Sequence, residues 1–105
     1  MVLASLVFDV LPEKRTEFVS AARGWLDALR SAQGCLGCRL AADFENQNVF
    51  VMTSEWDAKA FLDQYLSSSD FKIVAGTRIL LSDGPSLSVD EVLSRRRLPR
   101  PRRTA

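Results

Sequence analysis

Apolar residues alternate from the first residues of the chain. Val2, Ala4, Leu6, Phe8 and Val10 fall on one face of an extended segment, with Leu3, Ser5, Val7 and Asp9 on the other. Leu11-Pro12 ends that strand, because proline has no N–H to give to a ladder. The period then changes. Phe18, Ala22, Trp25 and Leu29 recur at helical spacing, with Val19 and Leu26 beside them, which predicts a helix from about Glu13 to Ala32. Glu13 suits its first turn, Gly24 weakens it slightly, and Gln33-Gly34 stops it where a C-terminal glycine is expected.

Cys35 to Phe44 reads as a second strand, Glu45-Asn46-Gln47-Asn48 as a polar turn, and Val49 to Trp56 as a third strand, so the two form a hairpin. Asp57 is placed to cap a helix over Ala58 to Leu66 whose inward face is Phe61, Leu62 and Tyr65. Ser67 to Ser69 interrupt it, and a second helical piece runs from about Asp70 to Leu81 with Phe71, Val74, Ala75 and Arg78 on one stripe. Ser82-Asp83-Gly84-Pro85 turns the chain into a short last strand around Leu87 and Val89, with Val92 at its end. The order β-α-β-β-α-β is the ferredoxin-like split βαβ: an α+β fold with an antiparallel sheet and helices on one face.

Strand parity says which sheet face the helices cover. The even residues Leu6, Phe8, Leu36, Cys38, Leu40, Phe44, Phe50, Met52 and Trp56 form that face. The odd face mixes Val7, Val49 and Val51 with Arg39, Thr53 and Glu55. It is too apolar to be left to water, so a homodimer packed sheet to sheet is expected. Arg39 and Glu55 are then read as an interface ion pair.

Composition removes much of the chemical repertoire. With 105 residues the chain holds one domain. It contains no histidine, which excludes histidine general-base catalysis and histidine ligation of zinc or haem. With two cysteines, a structural zinc or iron–sulfur site would need ligands from a second chain. Neither a G-x-x-x-x-G-K-[ST] nor a G-x-G-x-x-G announces a nucleotide. No apolar run approaches the roughly 20 residues of a membrane span. Met1 to Leu11 lacks a basic start and carries Asp9, so the expectation is a cytoplasmic protein without a signal peptide.

The net charge of +1 conceals an uneven distribution. Arg95, Arg96, Arg97, Arg100, Arg102 and Arg103 lie together without an acid, and setting them aside leaves 8 basic against 13 acidic residues, a formal −5. Residues 94–105 are therefore read as an Arg/Pro-rich tail on an acidic body. A solvated terminus, or one docked on that body, is favoured over a nucleic-acid contact.

Cys35 and Cys38 form a C-x-x-C at the start of a strand. In a regular strand their α-carbons stand about 10 Å apart and their side chains point to opposite faces, beyond the roughly 7 Å a disulfide spans. That context opposes a redox or metal role, which only a bulge at Gly37 would restore.

Three segments carry a resemblance. Gly34-Cys35-Leu36-Gly37-Cys38 resembles the G-C-x-G opening of the second strand in antibiotic-biosynthesis-monooxygenase domains. Ser54-Glu55-Trp56-Asp57 resembles their E-x-W, and Tyr65-Leu66-Ser67-Ser68-Ser69-Asp70-Phe71 their H-L-x-S-x-x-F, with tyrosine in place of the usual histidine. The likeness covers residues 1–93. It implies a dimeric α+β barrel that oxidises a small electron-rich aromatic, hydroxylated or quinol-like, with molecular oxygen and no cofactor. It does not extend to the haem-degrading branch, whose axial histidine this chain lacks.

Such chemistry needs a dry pocket for a flat ring and help in forming its anion. Trp56 is the expected wall, with Trp25, Phe71, Met52 and Cys38 completing the substrate site. Tyr65, one turn after Phe61, could donate to a substrate oxygen, or relay a proton if its pKa were lowered. Arg78 could stabilise a developing oxyanion. A closed apolar cavity beneath Trp56 is expected if the chain is this enzyme. The alternative is a non-catalytic ligand-binding or structural module of the same fold, with Trp25, Tyr65 and Phe71 filling that space and the arginine tail touching anions.

Overall fold

The computed structural model describes residues 1–82, 84–99 and 101, and for Arg78 and Ile79 the backbone only. Four strands, β1 (Val2–Asp9), β2 (Cys35–Ala42), β3 (Val49–Trp56) and β4 (Ser86–Glu91), form one antiparallel sheet in the order β2-β3-β1-β4. Helix α1 (Arg15–Arg30) joins β1 to β2, while α2 (Lys59–Leu66) and α3 (Ser69–Ala75) lie between β3 and β4. This is the ferredoxin-like α+β fold expected from the element order. Among the described residues no helix is long and apolar enough to cross a membrane.

The parity argument holds for the two central strands. Val2, Ala4, Leu6 and Phe8 of β1, and Phe50, Met52, Ser54 and Trp56 of β3, are all buried, and the registers Leu6↔Met52 and Phe8↔Phe50 set them side by side. Onto this face pack Phe18, Ala22, Trp25 and Leu29 of α1, Leu62 and Tyr65 of α2, and Val74 of α3. Removing such side chains from water supplies most of the stability: each large one contributes roughly 1.5–3 kcal/mol.

On β2 the parity changes. Cys35 pairs with Trp56 and Gly37 with Glu55, so an extra residue bulges between them. Leu36, expected on the covered face, is 57% exposed. Phe44, also expected there, lies beyond the end of β2 and is fully exposed at 100%. The bulge puts Cys35 and Cys38 opposite Trp56 and Ser54, both on the covered face. Cross-strand partners share a face, so the two thiols do not point apart as a regular strand would have them.

Element ends also shift. A 3₁₀ turn over Pro12–Lys14 precedes α1, so the helix proper starts at Arg15. Asp57 does not cap α2: the N-cap falls on Ala58 without a side-chain bond, and the Asp57 N–H donates to the Gly34 carbonyl at 2.9 Å. The helical piece expected up to Leu81 ends at Ala75 and continues as a kinked 3₁₀ segment, Gly76–Leu80. There the Thr77 hydroxyl donates to the Val74 carbonyl at 2.6 Å, a local bond that competes with the helix ladder.

The opposite sheet face carries no helix. Val7 and Leu36 are exposed on it, and Leu3, Val49 and Val51 are half-buried. The bonding to β1 continues one residue past β4, Val92 N–H donating to the Met1 carbonyl at 2.9 Å. Arg95 then forks onto Glu55, its Nη2 2.8 Å and Nη1 3.3 Å from the two carboxylate oxygens. That donor pair holds the Glu55 carboxyl below its usual range, with Arg39 adding a smaller push the same way. At this residue the tail docks on the acidic body; Arg100, Arg102 and Arg103 lie outside the described residues.

Candidate active site

Helix α1 presents small residues along one side, Ala21, Gly24 and Ala28, with Trp25 among them. Opposite stand Tyr65 of α2 and Asp70 and Ile73 of α3. Between them lies a mostly apolar groove of about 400 Å³, within the ~300–1,000 Å³ typical of small-molecule sites. Gly24 helps to open it, because a methyl group built there would meet nothing within 4 Å.

Tyr65 is positioned from three sides. Its ring centroid is 5.4 Å from Trp56 and 5.6 Å from Phe71, the latter nearly edge-on. Its carbonyl accepts from the Ser68 hydroxyl at 2.5 Å, and the same Ser68 oxygen caps α3 by accepting from Phe71 N–H at 3.3 Å. One serine therefore joins the end of α2 to the start of α3 and sets Tyr65, Asp70 and Phe71 relative to one another. No protein group bonds the Tyr65 hydroxyl among the described residues, yet none of their buried polar side-chain atoms lacks a partner, so this hydroxyl reaches open space.

The electrostatics run against a relay. Burial pushes the Tyr65 phenol up to about 12, and the Asp70 carboxylate and the two cysteines push the same way. At neutral pH Tyr65 is a hydrogen-bond donor and not an anion. Asp70, exposed on the rim, is the acceptor that accompanies it. Among the described residues no three metal-ligating side chains converge.

A family model for antibiotic biosynthesis monooxygenases matches residues 1–75, most of the sheet and all three helices. The chain belongs to the antibiotic biosynthesis monooxygenase family. Solved structures share its fold at low identity. A protein described as an antibiotic biosynthesis monooxygenase is 19% identical with a TM-score of 0.81, covering 90% of this chain and all, 100%, of that one. A conserved protein from Methanosarcina mazei Go1 is 23% identical with a TM-score of 0.80, covering 85% and 89% of the two chains. Rv0793 from Mycobacterium tuberculosis is 18% identical with a TM-score of 0.81, covering 90% and 96%. Among curated protein sequences none matches this chain.

For this antibiotic biosynthesis monooxygenase homologue, the expected site residues divide by their distance from the groove. Trp25 and Tyr65 line the groove itself. Trp56 and Phe71 stand behind Tyr65, so they support the site and do not line it. Trp56 is 0% exposed, its indole N–H donating to Ser54 Oγ at 2.9 Å. The space expected to be empty beneath it is packed, and the groove opens instead between helices. Met52 is core on the covered face, and Cys38 is half-buried with its sulfur 3.8 Å from the Leu26 carbonyl. The Arg78 side chain lies outside the described residues. Gly24 and Asp70 were not singled out from the sequence. Asp70 lies two residues after Ser68, the N-cap of α3, where an acid reads from sequence as first-turn chemistry.

Proposed function

We propose that this chain is a cofactor-independent monooxygenase that binds a small electron-rich aromatic in the groove between α1 and α3, with molecular oxygen as co-substrate. What supports the reading, beyond family membership, is the Tyr65 hydroxyl, a donor without a protein partner among the described residues, beside Trp25 and Asp70 in an apolar groove. The ring lies against Trp25, its oxygen accepts from Tyr65, and Asp70 takes the proton whose loss makes the ring electron-rich. Tyr65 bonds the developing oxyanion more strongly than the neutral oxygen, which favours anion formation. With an anthrone as substrate, the carbanion passes its electrons to oxygen. One oxygen atom then replaces two hydrogens as a ketone and the other leaves as water, so the substrate supplies every electron.

The fold is further proposed to work as a homodimer through its uncovered sheet face. Oxygen uptake tests the activity: metal- and flavin-free protein is expected to consume oxygen with at least one member of an anthrone and hydroquinone panel. Tyr65→Phe and Asp70→Asn should each slow that uptake. No uptake above buffer across the panel would end the reading. The packed space beneath Trp56 favours a second one, a binding module without turnover. It predicts that panel members quench Trp25 fluorescence while oxygen stays constant.

A further inference from the structure

The bulge in β2 revises the standing of the C-x-x-C motif. Cys35 and Cys38 are both free thiols, both half-buried, and both packed against the core from the covered face of the sheet. Their partners on β3, Trp56 and Ser54, are two residues apart. The bulge has therefore shortened a three-residue separation to the rise of about two, roughly 7 Å, at the upper end of what a disulfide spans. The Cys35 thiol is turned along the strand toward its neighbour, with Sγ 3.6 Å from the carbonyl of Gly37, the residue directly before Cys38.

We propose that Cys35 and Cys38 form a peroxide-responsive dithiol that closes to an intramolecular disulfide across the β2 bulge, next to the Tyr65 groove. The proposal is independent of the oxygenase reading. The Cys38 sulfur is engaged with the Leu26 carbonyl of α1 at 3.8 Å, and burial pushes its thiol up, which suits it to the second step. Cys38 is therefore the resolving residue. The Cys35 thiolate attacks one oxygen of hydrogen peroxide; the S–O bond forms, the O–O bond breaks, and hydroxide leaves and is protonated to water. Cys38 then gives its proton to the departing hydroxyl as its sulfur attacks Cys35. The S–S bond forms, the S–O bond breaks and a second water leaves. Two thiols lose one electron each and one peroxide gains two.

The disulfide would act on the groove through short links. Cys35 sits opposite Trp56, whose ring packs on Tyr65. Cys38 rests against the Leu26 carbonyl of α1, one residue from Trp25. Closing the bond tightens the bulge and pulls on both walls.

The test uses the folded full chain. Arg30 and Arg39 flank the pair, so trypsin releases both cysteines in one peptide, residues 31–39. After one equivalent of hydrogen peroxide and alkylation, this peptide is expected to lose the mass of two hydrogens and both alkylation sites, and dithiothreitol should restore them. Cys38→Ser should stop at a Cys35 sulfenic acid that dimedone traps, and Cys35→Ser should give no trapped product. Full alkylation of the treated wild type, cross-links between chains, or trapping in Cys35→Ser would each overturn the proposal.

Discussion

Tyr65 is the chain's single tyrosine, so its ionisation can be read without ambiguity from phenolate absorbance. The structure raises its pKa to about 12, against ~10 for an unfolded tyrosine. Between those values the unfolded chain has released a proton that the folded chain still holds, so stability falls as pH rises. The contribution is fully present below the unfolded pKa and is lost through the folded one. The expected observation is a phenolate midpoint near 12 in the native protein and near ~10 in urea; equal midpoints would show that the ring is not buried as described. A second single-residue prediction concerns Gly34, whose φ is 81° and whose missing Cβ would overlap the Phe61 ring. Gly34→Ala combines backbone strain with overpacking and should cost about 2–4 kcal/mol in urea denaturation. Single residues were legible where they belonged to a repeating pattern. Helical stripes place Trp25 and Tyr65 on inward faces, and the structure has both in the core cluster. Asp70 was missed because a polar residue at a helix start reads as ordinary capping chemistry until the facing helix is known.

At the level of elements, β1 and β3 were legible because each is sandwiched between neighbours and its alternation is enforced by the core. The bulge in β2 was not, since it is defined by two residues opposing one on β3, which the alternation within β2 does not record. For the same reason strand alternation puts Leu36 on the covered face and the cysteines on opposite faces, whereas Leu36 is exposed and both cysteines stand opposite covered-face residues. Helix α1 shows a related blind spot. Gly24 reads from sequence as a weak point in a helix, whereas the structure makes it the floor of a groove. This separates stability from function. Gly24→Ala adds a methyl with nothing within 4 Å and should stabilise the protein by about 0.5–1 kcal/mol through helix propensity. Gly24→Leu extends the side chain into the groove and should abolish ligand binding while the melting temperature stays at or above the wild-type value. If Gly24→Leu binds and turns over the aromatic panel as the wild type does, the substrate lies elsewhere.

At the scale of the whole molecule, the dimer proposal rests on the uncovered sheet face. Val7 and Leu36 are exposed there, and Val7 stands directly across from half-buried Val51. A lone subunit would keep these apolar side chains in water, and a second copy laid sheet to sheet would cover them. The two possibilities assign different consequences to one substitution. In a monomer, Val7→Glu adds a solvated carboxylate at a surface position and should change stability by no more than about 0.5 kcal/mol. In a sheet-to-sheet dimer it buries an unpaired charge, a penalty of about 3–5 kcal/mol for which no new partner is supplied. Leu87 is the control: it is 42% exposed but lies opposite Leu6, on the helix-covered face near the sheet edge. Leu87→Glu should therefore leave the assembly intact. Sedimentation equilibrium at micromolar concentration is expected to give a dimer for wild type and Leu87→Glu, and a folded monomer for Val7→Glu. A wild-type monomer, or a Val7→Glu protein as dimeric as its parent, would place any contact between subunits on another surface.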